Sequence, residues 1–174
     1  MRPLASAVVE FRARGFAQLV IGVLAGGLSV AIYGTGRTIS AVTVGGVIFG
    51  GLMYAVLYRR RVRQVFAHAK PAPSPQRELA STTKTRTLKN EVAPLFAFLV
   101  VTAIVFRDVA IISGISIGNG FAMVVIAQQF RRWEAEHHLR LLREPKFRWK
   151  GQRGWGRGGG VIDPEDFYST AASS

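Results

Sequence analysis

The stretch TVGGVIFGGLMYAVLYRRRVRQ, residues 43–64, carries two glycine pairs inside an uncharged apolar run that stops at a block of arginines. In water this would be a poor helix, because each interior glycine costs about 1 kcal/mol relative to alanine. In lipid the balance reverses. Unpaired backbone groups are so costly in hydrocarbon that the helix is enforced, and glycine becomes useful for bringing helix backbones close together. The stretch therefore reads as the end of a membrane span, with RRRVR as its cytoplasmic stop.

Working outward, four segments approach the roughly 20 apolar residues needed to cross a hydrocarbon core of about 30 Å. They are residues 16–33, 39–58, 92–106 and 109–130. The first contains only Gln18 and Ser29 as polar members, and the second contains no charge. Residues 92–106 are short for a span; a backward extension through Glu91, little tilt, or a partial dip would each fit them. The start of the chain also resembles a secretory signal with a cleavage site at Ser29-Val30-Ala31, but the next apolar run follows almost at once.

Charge orients the spans. Of 174 residues, 49% are hydrophobic and 19% charged, and the net charge is +13. Lysine and arginine number three in residues 1–15, nine in 59–91 and nine in 131–174, against Arg37 and Arg107 alone in the two other connections. The positive-inside rule then puts both termini in the cytoplasm. Arginine outnumbers lysine 18 to 5, a bias of GC-rich genomes that points to a bacterial plasma (inner) membrane. With no cysteine, disulfide, thiolate and cysteine-metal chemistry are excluded.

The expected fold is thus an all-α, multi-pass membrane protein with four transmembrane helices in two hairpins. Residues 1–58 form the N-terminal segment and first hairpin, and 59–91 a basic Pro/Ser/Thr-rich cytoplasmic loop. Residues 92–130 form the second hairpin, and 131–174 a cytoplasmic helix followed by a largely disordered, basic, Gly-rich tail.

Small residues four apart make flat stripes for helix packing. Gly22 and Gly26 form one, Gly46 and Gly50 (flanked by Gly45 and Gly51) a second, and Gly114 and Gly118 (between Ala110 and Ala122) a third. Packing within one chain is the simpler reading; a homo-oligomer would use the same stripes. A repeat at a spacing of 72 residues matches Ile39 with Ile111, Gly46 with Gly118, Phe49 with Phe121 and Ala55 with Ala127, which suggests parallel halves.

In the cytoplasmic segments, Arg59, Arg60, Arg61 and Arg63 follow the second span. Pro71, Pro73 and Pro75 then make a stiff spacer, and little order is expected before Asn90. After the fourth span come Arg131 and Arg132, and RRWEAEHHLRLLRE reads as a continuing helix that stops at Pro145. Its i,i+4 pairs are Glu134/His138, Glu136/Arg140 and Arg140/Glu144, and Trp133 is placed as an interfacial anchor. In KFRWKGQRGWGRGGG, Arg148, Trp149, Lys150 and Trp155 alternate basic with aromatic character. They suit an anionic lipid surface, and nucleic acid is the less favoured partner because the membrane is adjacent. Asp163 and Pro164 could start a short helical turn presenting Phe167 and Tyr168 to a cytoplasmic protein partner.

No catalytic constellation or cofactor motif appears, so the chain is expected not to be an enzyme. Glu134-xx-His137 is half of a di-metal motif whose other ligands are missing. No ionisable residue lies within a span, which disfavours a proton-coupled carrier. Ser116 and Asn119 share a helix face and could line a water path, although an intramembrane asparagine more often joins helices. The expected function is a membrane adaptor or assembly factor whose basic segments bind anionic lipid or a partner. The alternative is a small oligomeric pore, channel or holin-like permeabilising protein.

Overall fold

The structure is a computed structural model in which residues 4–52, 54–72, 78–93, 96–97, 100–101, 109–143, 162 and 167–171 are described. It is mostly helical. Among the described residues, three helical runs are long and apolar enough to cross a membrane: Ala7–Tyr33, Thr35–His68 and Val109–His137, of 27, 34 and 29 residues.

Helix α1 (Ala7–Tyr33) starts where the Ser6 hydroxyl accepts from the Val9 amide at 3.4 Å, an N-cap. It begins well before the expected span, so Glu10, Arg12 and Arg14 lie on its polar first turns. It ends at Gly34, whose φ of +80° is a conformation that glycine alone adopts freely. Helix α2 (Thr35–Gly45) follows directly and is held to α1 by a 2.8 Å hydrogen bond between the buried hydroxyls of Ser29 and Thr38. The helix then winds in π fashion through Gly46–Leu52 and Tyr54–Tyr58 before regaining α geometry as α3 (Arg59–His68). Farther along come α4 (Ala80–Thr87), a π turn at Leu88–Val92, and α5 (Val109–His137).

Helix α5 is central, and the other two long helices pack on it. Its glycines run antiparallel against α1, where Gly15 meets Gly120 and Gly22 meets Ile117. They run parallel to the second helix, where Gly45 meets Gly114 and Gly50 meets Gly118. The outward faces are apolar and exposed: Val23 and Leu24 of α1 are each 65% accessible, and Val47 is 66% accessible. Such a surface suits lipid. Residues 92–93, 96–97 and 100–101 of the expected third span are helical, and the rest of that segment lies outside the described residues, as do Arg107 and Asp108.

The polar end of the bundle is not simply helical, which corrects the all-α expectation. Among the described residues, four short strands, β1 (Ala5–Ser6), β2 (Lys70–Pro71), β3 (Leu139–Arg143) and β4 (Phe167–Ala171), form one sheet in the order β1-β3-β4-β2. Strands β3 and β4 are antiparallel over five residues, from Leu139 opposite Ala171 to Arg143 opposite Phe167. Strand β1 adds antiparallel to β3, and β2 adds parallel to β4.

Three expectations for these segments are corrected. RRWEAEHHLRLLRE is not one helix: α5 stops at His137, His138 turns with φ +53°, and β3 begins. The cause is Glu134, whose carboxylate accepts the Leu141 amide at 2.7 Å and folds the chain back. Phe167 and Tyr168 are not carried on a short helical turn: they belong to a strand, and the Phe167 side chain is fully buried. Asp163, Pro164, Glu144 and Pro145 lie outside the described residues. The loop before Asn90 contains α4, with Thr83 and Thr87 buried; Pro71 sits in β2, while Pro73 and Pro75 lie outside the described residues.

The main core lies beneath this cap. Phe11, Phe130 and Phe167 form an aromatic triangle with ring centroids 5.3, 5.6 and 6.5 Å apart, packed with Val62, Val65, Ile126, Leu141 and Ile162. Burial of several large side chains at about 1.5–3 kcal/mol each gives this end a water-driven core that the lipid-facing part cannot have.

Candidate functional site

Two features of the polar end carry charge. The first is buried. Arg143 of β3 reaches Glu10 of α1 at 2.6 Å, both side chains nearly inaccessible, and its guanidinium lies 5.5 Å from the Phe11 and Phe167 ring centres. The other Glu10 oxygen faces Arg86 of α4 at 3.8 Å, and Arg86 binds both oxygens of Glu78 at 3.1–3.3 Å. Two acids and two bases thereby tie α1, α4 and β3 together. Burying charge is expensive unless it is paired, and this pairing is compact, with Glu10 and Arg143 buried and Arg86 and Glu78 part-buried.

The second feature is exposed. Arg59, Arg60 and Arg63 of α3 project from the rim where the apolar helix surface ends, as do Arg131 and Arg132 of α5. Arg61 differs: it donates to the Ile162 carbonyl at 3.0 Å and so holds the returning tail. A shallow cleft of about 360 Å³ between α3 and α5 is lined by Arg59, Arg63, Arg132 and Gln129, with Phe66, Trp133, Val62 and Glu136. A neighbouring one of about 400 Å³ along α3 shares Arg59 and Arg63 and adds Arg60. Trp133 stacks on Phe66, centroids 5.5 Å apart and planes 2° apart, and on His137. This stack forms part of the cleft, with Phe66 and Trp133 half-buried.

The glycine stripes are placed as follows. A Cβ on Gly22 would lie 2.6 Å from Ile117 Cγ1, and one on Gly26 would lie 2.9 Å from Ser113 Oγ. One on Gly50 would lie 3.0 Å from the Gly118 carbonyl, one on Gly118 2.8 Å from the Gly50 amide, and one on Gly114 would strike the Ala41 carbonyl. Gly46 is the exception, since its Cβ direction is open. Gly45, five residues before Gly50, takes the contact instead, 2.7 Å from Gly114 Cα. The π winding, with its i→i+5 hydrogen bonds, shifts the stripe by one residue.

Ser116 is buried and Asn119 half-buried on α5, and neighbouring Ser113 donates to the Gly22 carbonyl of α1 at 2.7 Å. The expected i,i+4 pairing of Arg140 with Glu136 gives way to Arg140 with Glu134 at 3.5 Å. Arg148, Trp149, Lys150 and Trp155 lie outside the described residues. Among the described residues no group of three His, Asp or Glu side chains is arranged to hold a metal ion. The sequence reading missed the Glu10–Arg143–Arg86–Glu78 cluster and the Gly15–Gly120 contact. An available signal for the first was Glu10, a lone acid among the basic residues before a span.

No known protein family, curated protein or solved structure matches this chain.

Proposed function

We propose that the chain is a non-enzymatic membrane adaptor or assembly factor of a bacterial plasma membrane. In this reading four spans in two hairpins anchor it, both termini are cytoplasmic, and the cap is the working part. The observation that carries the reading is the sheet: residues 5–6, 70–71, 139–143 and 167–171 return to one small folded unit with a basic rim. A plain bundle has no need to recover its N-terminus, loop and tail into a common core. A protein that presents a defined surface at the membrane does. Of the exposed arginines, those lining the α3–α5 cleft, Arg59, Arg63 and Arg132, then act on anionic lipid, each worth about 1 kcal/mol near the surface, or on an acidic cytoplasmic partner.

The pore alternative draws on Ser116 and Asn119. The burial of Ser116, together with the Ser113 hydrogen bond to the Gly22 carbonyl of α1, favours a helix-joining role for that face. Solute and ion release from liposomes carrying the purified protein separates the two readings. The adaptor reading predicts vesicles as tight as empty controls across protein densities. Size-limited release that disappears in Asn119→Leu would replace it with the pore.

A further inference from the structure

Arginines next to a span usually need no specific ligand, since diffuse attraction to an anionic leaflet explains them. The arrangement at the α3–α5 rim goes beyond that. Arg59 and Arg63, one turn apart on α3, and Arg132 from α5 line a single cleft, where three guanidiniums face one carboxylate, Glu136. The Phe66–Trp133 stack stiffens the wall between the two helices. On the bundle side of the same helix, Leu52, Val56 and Leu57 expose apolar side chains, 45–61% accessible. A cationic cleft at the end of a helix whose preceding turns expose hydrocarbon matches a molecule that is anionic at one end and aliphatic at the other.

We propose that this cleft binds the phosphate of an anionic phospholipid headgroup, with Arg59, Arg63 and Arg132 as the phosphate ligands and the acyl chains lying along Leu52 and Val56. The proposal rests on the membrane reading above and names the lipid partner's site. Guanidinium groups suit this task because their planar forks bind phosphate oxygens in a bidentate manner. Arg60 and Arg131 are equally charged and equally close to the rim, yet neither lines this cleft. They provide the control.

The test is native mass spectrometry of the full chain in detergent micelles, titrated separately with phosphatidylglycerol, phosphatidylcholine and inorganic phosphate. A phosphatidylglycerol adduct should persist in the wild type and in Arg60→Gln/Arg131→Gln within twofold. In Arg63→Gln/Arg132→Gln its affinity should fall about tenfold, the loss expected for charge-assisted contacts. If that pair does not purify, Arg59→Gln carries the same prediction. Equal losses in the two double variants would overturn the site in favour of diffuse attraction. Binding of inorganic phosphate as tightly as phosphatidylglycerol, with the same variant dependence, would overturn the lipid assignment. Either failure alongside tight vesicles would leave the adaptor reading standing, whereas leaky vesicles would remove that reading whatever the cleft binds.

Discussion

Single residues decide both the helix packing and the cap. Gly45 and Gly46 are neighbours in sequence, but only a methyl group on Gly45 meets backbone, at 2.7 Å from Gly114 Cα. Gly45→Ala should therefore destabilise the bundle by about 1–3 kcal/mol, the usual cost of overpacking. Gly46→Ala should be neutral within about 0.5 kcal/mol. Thermal unfolding of the two proteins in detergent checks the contrast; equal effects would show that the stripe follows α-helical spacing after all. At the cap, Glu10→Gln removes the charge that Arg143 faces in a site with almost no water access. A loss of about 3–5 kcal/mol is expected, the cost of stranding one partner of a buried pair. Glu10→Leu/Arg143→Met should lose less than the sum of its single changes, because neither charge is then stranded. The packing glycines were partly legible as residues, since small side chains inside apolar runs have few other uses. Gly45 was not singled out, because the i,i+4 rule assumes a winding that residues 46–58 depart from.

At the scale of elements, the apolar helices could be read from hydropathy and the strands could not. Helix α1 ends at Tyr33, next to Gly34 with its φ of +80°. Strand β3 carries LRLLR, a pattern compatible with either period, and it follows a long helix without an intervening glycine or proline. What makes it a strand is non-local: a partner, β4, that lies beyond residue 166, and a carboxylate seven residues upstream that takes its amide. Glu134→Ala should cost about 1–3 kcal/mol, because the buried Leu141 amide loses its acceptor. The helical signal should also lengthen past His138. Hydrogen exchange at residues 139–143 reports the change; unaltered protection there would mean that β4, and not Glu134, ends the helix. Loop helix α4 was hidden for a similar reason. Its serines and threonines favour turns locally, and it is fixed by the Arg86–Glu78 contacts at its side.

For the whole molecule, a lipid-facing bundle and a water-driven core divide the chain between two physical regimes. Helices in lipid gain from backbone approach, which the glycine contacts supply, while the cap gains from burying Phe11, Phe130 and Phe167 together. The division was half visible beforehand: charge distribution separated the two regions, but the convergence of four distant segments into one sheet leaves no local trace. The folded cap exists only through that convergence, and the absence of cysteine allows it to be tested directly. Arg140 and Thr170 face each other in the β3–β4 register. Facing antiparallel residues are about 4.5–5.5 Å apart at Cα, within the disulfide range. Isolated membranes containing Arg140→Cys/Thr170→Cys should lose labelling by a maleimide polymer after mild oxidation, while Ser81→Cys/Thr170→Cys, with the first thiol exposed on α4 outside the sheet, should keep both labels. Two labels retained in both proteins after oxidation would mean that the tail does not return to the cap, and the adaptor reading would lose its structural basis.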